Sequence, residues 1–290
     1  MEVLFLGTGA GDFQALEDPA NKSPHVVAAR EAGGCNLRYA SASLIVPDIL
    51  IDCHDTLQLE RFRGTSEEIR HLLITHGHWD HFQPLAVLEL AESLAQPLQV
   101  YGSSVIGSAL AFAAEHVWDP VQGRFQPQKN TANLRFHRVE HGDCFAVGEA
   151  HVTAVCASHM LDKATLHIEQ PALNYMVEIE GSTLFYGLDS SYLLPETVNL
   201  LAGFRLDAAV FDGTFGDQSI DPAQSGHMTF AMVAETVEEL GAIGVVTDAT
   251  EIIASHISLA SVPPHDQVVA DLALRGITLA YDGMIWKSAT

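Results

Sequence analysis

An apolar run that ends in a burst of ligand-type side chains constrains this chain more than any other feature. Leu72-Leu73-Ile74 reads as a buried strand, and Thr75-His76-Gly77-His78-Trp79-Asp80-His81 follows at once. Imidazole nitrogen and carboxylate oxygen are the donors that zinc and its neighbours accept from a protein. His76 and His78 stand two apart, so extended backbone points them to the same side. Asp80 and His81 follow where the chain turns and can face a second ion. One such loop rarely binds metal alone, so the fold is expected to bring further ligands to it.

The candidates are ligand-type residues placed, like the first loop, immediately after apolar strands. His159 follows the run at 152–156, Asp189 the run at 183–186, Asp212 the run at 208–211, and His256 the run near 252–254. Loops held by a rigid scaffold are where function concentrates, and a shared placement allows all of these to collect along one edge of the sheets. Further strands are expected at 3–6, 44–46, 49–51, 72–74, 99–101 and 174–179. Apolar positions at three- and four-residue steps predict helices over 84–94, 104–116, 229–240 and 265–274. Glu180-Gly181-Ser182 supplies a hairpin turn in which Gly181 is free to take positive φ. Two segments, 7–35 and 118–133, read as long and irregular. The order of strands and helices fits two sheets sandwiched between helices in one domain over residues 1–290.

Composition narrows the partners. With 14 basic against 37 acidic residues, the formal charge is −23, and a long polyanion is repelled unless a local basic patch overcomes that field. The residues nearest to such a patch are Arg124, Lys129, Arg135 and Arg138. Cys35, Cys53, Cys144 and Cys156 are widely spaced and suggest no disulfide framework. Cys53 and Cys156, in or beside apolar runs, read as buried. No apolar stretch approaches the span of a bilayer and the first residues lack a basic leader, so a cytoplasmic location is expected.

Taken together, these motifs resemble the metallo-β-lactamase fold superfamily, in particular the branch that holds ribonuclease Z and the cyclic ribose-phosphate phosphodiesterase of phosphonate breakdown. The resemblance runs through Phe5-Leu6-Gly7-Thr8-Gly9, Leu50-Ile51-Asp52, the loop from His76 to His81, Ser158-His159 and Leu188-Asp189-Ser190. It continues in Phe211-Asp212-Gly213-Thr214, Gly226-His227-Met228-Thr229 and Ser255-His256-Ile257-Ser258. It implies an α/β chain folded as a four-layer αββα sandwich. It also implies two divalent metal ions, Zn2+ or Mn2+, with iron accepted by the same ligands. One ion falls to His76, His78 and His159, the second to Asp80, His81 and His256, and Asp189 bridges both. Such a set leaves room for a bridging hydroxide and for substrate, as catalytic sites do. Asp52 is expected to steady the metal loop from behind, and His54 beside it draws attention for its position.

The implied activity is metal-dependent hydrolysis, with Asp80, His227 and Asp212 as the catalytic residues. Paired ions make a nucleophile available at neutral pH. His227, just before a helix start where a phosphate oxygen is also welcome, serves as general acid or phosphate stabiliser, and Asp212 holds its imidazole in one tautomer. The expected substrate is a small or cyclic phosphodiester. The charge of −23 and the lack of a clear protruding arm argue against folded RNA and a ribonuclease Z-like role. Thioester or lactam hydrolysis on the same fold is the nearest rival. Against it, Phe82-Gln83-Pro84 follows the metal loop where glyoxalase-type relatives have a glycine pair, and Asp189 stands where the commonest zinc β-lactamases place cysteine. No membrane partner is expected, and homodimerisation is left open.

Overall fold

The strands of this chain read as nearly continuous apolar runs because most of them are covered on both faces. In the computed structural model, which describes residues 1–128, 133–159, 172–222 and 225–289, alternate residues of one strand serve two different cores. Val3 and Phe5 point between the sheets, whereas Leu4 and Leu6 point outward to helices. In the same way Tyr175, Val177, Leu184, Tyr186 and Val210 fill the space between the sheets, and Met176, Phe185, Ala209 and Phe211 face the other helical layer.

The first seven-stranded sheet runs, edge to edge, Ile285–Lys287, Glu2–Gly7, Ala42–Ile45, Ile49–Ile51, His71–Leu73, Leu98–Gly102 and Leu134–Arg138. The second, also of seven strands, runs Thr278–Leu279, Glu251–Ser255, Ala208–Asp212, Ser182–Gly187, Leu173–Ile179, Ala150–Cys156 and Cys144–Val147. Helices Pro84–Ser93 and Ser104–Glu115 contribute Val87, Leu90, Ile106 and Leu110 to the layer outside the first sheet. Phe230–Ala242 and His265–Leu274 contribute Met232, Val233, Leu240 and Leu272 outside the second. The result is the four-layer αββα sandwich.

Strand direction sets where the site falls. Ile49–Ile51, His71–Leu73 and Leu98–Gly102 are parallel, as are Ser182–Gly187, Ala208–Asp212 and Glu251–Ser255. Open parallel sheets gather ligands beyond the carboxyl ends of their strands. The two sheets are joined at that edge, because Ile257 N donates to Thr8 O at 2.8 Å and Ala10 N donates to Ile257 O at 3.1 Å.

Several elements depart from expectation. The segment 7–35 carries a 3-10 turn, Phe13–Leu16, and a helix, Pro24–Ala32. Much of the segment 118–133 is a two-stranded hairpin, His116–Asp119 against Arg124–Pro127, while Lys129 lies outside the described residues. His116 therefore opens a strand and does not close the preceding helix. Short helices Leu57–Arg63 and Pro195–Leu201 were not expected. Cys53 is buried, but Cys156 is only half-buried. The hairpin at Gly181 forms with positive φ at Glu180 (53°) and Gly181 (78°), the pairing that a two-residue turn of this kind requires.

Gly7, at the end of its strand, tests the fit of the sheet edge. A Cβ there would lie 1.8 Å from Ala40 O and 2.3 Å from Gln58 Nε2. Backbone on one side cannot give way, so Gly7→Ala is expected to destabilise the fold by about 3 kcal/mol, read as a shift of the urea midpoint at unchanged slope.

Candidate metal centre

Three of the carboxylate and imidazole residues leave their strands through a backbone conformation that few side chains adopt. Asp52 (φ 62°) and His256 (φ 57°) are left-handed and directly follow Ile49–Ile51 and Glu251–Ser255, and Asp189 (φ 49°), also left-handed, comes two residues after Ser182–Gly187. Asp and His tolerate this region better than most residues, yet each such position costs about 1 kcal/mol or more and persists where the surroundings impose it. The turns aim three side chains into one small volume between the sheets.

Two clusters result, and a third group joins Asp189 and His256 to Asp212 and His227. In the first, His76, His78, His159 and Asp189 offer donor atoms within 4.8 Å of one another. His159 Nε2 stands 3.0 Å from His78 Nδ1, and Asp189 Oδ1 is 3.7 Å from His76 Nε2. In the second, His81 Nε2 and His256 Nε2 are 3.1 Å apart. Asp80 Oδ2 approaches His256 Nε2 at 3.3 Å, and Asp189 Oδ2 approaches His81 Nε2 at 2.8 Å. Asp189 thus gives one oxygen to each cluster.

Outer hydrogen bonds decide which nitrogen each ring presents. His81 Nδ1 donates to Asp52 Oδ2 at 2.7 Å, and the same carboxylate receives Thr75 N at 2.8 Å. His159 Nδ1 donates to Gly226 O at 3.0 Å. The Thr214 hydroxyl donates to His256 O, so its oxygen accepts from His256 Nδ1, both at 2.8 Å. Thr75 Oγ1 donates to Asp52 and is 3.1 Å from His76 Nδ1, from which it accepts. Four Nε2 lone pairs therefore converge with two carboxylates. His76 Nε2 is buried with no hydrogen-bond partner. Such a donor set repels itself unless a cation sits within it, and its nitrogen and carboxylate chemistry suits a divalent transition metal. With protons as the only cations, burial and His81 drive His76 well below the ordinary histidine range. His81 is held well above that range, because Asp189, Asp80 and Asp52 outweigh its burial.

Asp212 and His227 stand beside the clusters. His227 Nδ1 donates to Asp212 Oδ2 at 2.7 Å, while Asp212 Oδ1 receives Thr214 N at 2.9 Å and Met228 N at 3.1 Å. The His227 ring stacks on that of His256, with centroids 5.2 Å apart. Although burial opposes its charged form, Asp212 foremost holds the imidazole up at about 9. Its Nε2 is the nitrogen left for a ligand. The helix behind it begins at Phe230, one residue later than expected, and is capped by Thr229 Oγ1 receiving Met232 N at 3.2 Å. A cleft of about 420 Å³ opens over these groups, with Gly11, Trp79, Thr214 and Phe215 on its walls.

The structure brings together His76, His78, Asp80, His81, His159, Asp189 and His256, with Asp212 and His227 alongside. His54 is not among them, since its Nδ1 donates to Trp79 O at 2.6 Å and its ring packs on Phe13 and Trp79. Sequence reasoning assigned no role to Thr75, Thr214, the Gly226 carbonyl or Asp12. Asp12 holds the loop after His256 by accepting from Ser258 Oγ, Leu259 N and Ala260 N. Thr214 sits in a motif already singled out, but nothing local shows what its hydroxyl meets.

Fold and paired clusters define a metal-dependent hydrolase of the metallo-β-lactamase type. Residues 48–257 match the beta-lactamase superfamily domain, more than half of the chain, and the chain belongs to that family. A UPF0173 metal-dependent hydrolase of Ruegeria sp. (strain TM1040) is 25% identical over 227 residues, covering 72% of this chain and 88% of the relative. Three solved structures share the fold over almost their whole length. Zn(2+)-bound PqqB of Methylobacterium extorquens has a TM-score of 0.70 at 19% identity, with 99% of this chain and 100% of that one covered. A diphosphatase from the PhnP family has 0.69 at 20%, with 99% and 97% covered. The short form of human tRNase Z has 0.65 at 20%, with 100% of both chains covered.

Asp52 touches neither cluster's converging atoms except through His81 and Thr75, so its substitution isolates that support. Asp52→Ala is expected to weaken divalent-metal affinity by about 10–100-fold, measured by competition with a chromophoric chelator.

Proposed function

We propose that this hydrolase cleaves a small phosphodiester, with two divalent ions held by the residues of the two clusters. His76, His78 and His159 take one ion, Asp80, His81 and His256 take the other, and Asp189 lies between. When bound, the ions supply a nucleophile at neutral pH and neutralise charge on the reacting phosphoryl group. Zinc and manganese both suit these donors.

The observation that carries the reading is the Asp212–His227 pair. It lies outside the two ligand sets, with His227 on the cleft wall and its Nδ1 bonded to the buried Asp212 carboxylate. A thiolate leaves without a proton, whereas an alkoxide needs one, and a poised acid beside the ions supplies it. Asp212 fixes Nδ1 as the inner, bonded nitrogen and directs Nε2 to the departing oxygen. The pair then holds the proton, releases it as the P–O bond breaks, and is recharged from solvent. The relatives named for diphosphatase and tRNase Z activity fit phosphoryl chemistry. The charge of −23 favours a small diester over a folded RNA.

A metal-defined panel tests the reaction class. Protein loaded with zinc or manganese is offered an activated phosphodiester, a cyclic nucleotide, a thioester and a lactam, and the diesters are expected to be cleaved. Cleavage of the thioester or lactam alone overturns the reading. For His227, the expected outcome depends on the leaving group. His227→Ala lowers turnover of a diester with an alkyl leaving group by about 10²–10⁴-fold at full metal content, and that of a 4-nitrophenyl ester far less. Equal losses on both would reduce His227 to a phosphate stabiliser, and no loss on either would remove it from the mechanism.

A further inference from the structure

The metal cleft shares walls with two neighbouring cavities. Trp79 lines both the metal cleft and a cavity of about 280 Å³ that is otherwise largely apolar, with Phe82, Pro84, Val105 and Ile106 in its lining. Phe215 and His227 line both the metal cleft and a different cavity of about 390 Å³, which adds Ile220 and Ser225. No residue lines both outer cavities. The centre is therefore flanked by two distinct recesses, one entered past an indole and one past His227.

Trp79, between His78 and Asp80, is 39% exposed, while Asp80 beside it is buried. Its ring is nonetheless fixed. Phe13 stacks against it with centroids 5.0 Å apart and 28° between planes, and His54 meets both rings edge-on at 5.1 and 5.5 Å. The hydrogen bond from His54 Nδ1 to Trp79 O pins the backbone below the ring. An indole supported on one side and open on the other is a rigid, amphipathic contact surface that loses little entropy when a planar ligand settles on it.

Resting on the phosphodiesterase reading, we propose that Trp79, backed by Phe13 and His54, is a stacking platform for a planar aromatic group on the substituent that phosphorus retains. Orientation follows from His227. Water adds to phosphorus, the P–O bond to the departing alcohol breaks with its electron pair going to that oxygen, and the proton comes from His227. The departing alcohol therefore lies on the Phe215–Ile220 side, and the retained group lies on the Trp79 side. The products are an aryl- or nucleoside-type phosphomonoester and an alcohol.

Two diesters with one leaving group test the platform. Phenyl 4-nitrophenyl phosphate is expected to be preferred over methyl 4-nitrophenyl phosphate by about tenfold in kcat/KM, the size of effect that one stacked ring supplies, expressed mainly in KM. Trp79→Ala brings that ratio close to one, and Trp79→Phe retains most of it; a ratio within one variant is insensitive to its metal content. The preference between two departing phenols on methyl diesters is unchanged by Trp79→Ala. No preference in the native protein, or a preference that survives Trp79→Ala, overturns the platform. A change in leaving-group preference instead overturns the orientation. Calorimetry with phenylphosphonate and methylphosphonate separates the two layers of the argument. If no diester is cleaved, the phosphodiesterase reading fails, while phenylphosphonate binding tighter to the native protein than to Trp79→Ala still upholds the platform, and equal binding rejects it.

Discussion

The structure turns on a concentration of lone pairs that water cannot relieve. Five imidazole nitrogens and two carboxylates converge between the sheets, and the outer hydrogen bonds of Asp52, Thr75, Thr214 and Gly226 turn four of the rings so that the unprotonated nitrogen faces inward. Buried like-signed groups of this kind are stable only around a cation. The features that hold them there, including the left-handed turns at Asp52, Asp189 and His256, oppose the local preference of the chain. They are sustained by three cores, one between the sheets and one outside each, that pack the strands on both faces.

Much of this was legible in the sequence, for physical reasons that differ from residue to residue. A residue that follows a buried parallel strand has little choice about which edge it reaches, so the positions of His76, Asp189 and His256 could be read from apolar runs alone. Which ring nitrogen faces inward could not, because Thr214 and the Gly226 carbonyl belong to segments brought alongside only by the tertiary fold. Helix Pro24–Ala32 escaped notice because it buries little beyond Val26 and Ala29, leaving hardly any periodic signal, although proline at its start and Gly33 at its end are ordinary helix punctuation. The hairpin His116–Asp119 with Arg124–Pro127 was unreadable for the opposite reason. Its apolar residues Val117, Trp118 and Phe125 are about half exposed, and Phe125 packs on Trp118 and on Phe112, so no alternation toward a core marks it.

The chemistry divides between the two sheets. The first supplies the loop from His76 to His81 with Asp52 behind it, and the second supplies His159, Asp189, His256 and the Asp212–His227 pair. Neither half alone supplies the His76–His78–His159–Asp189 group or the Asp80–His81–His256 group, and the general-acid candidate belongs wholly to the second. Trp79, on the first, is the one large aromatic side chain of that loop turned toward solvent.

The position of Asp189 has a consequence for assembly. Because its two oxygens address separate clusters, an ion in one cluster orients the carboxylate that the other needs, so the second ion meets a donor already set in place. Because the donors come from opposite sheets, an ion is also a strut across the sandwich. Whatever binds there favours the closed pair of sheets over any opened form by mass action, so that loading of the centre and cohesion of the fold belong to a single equilibrium.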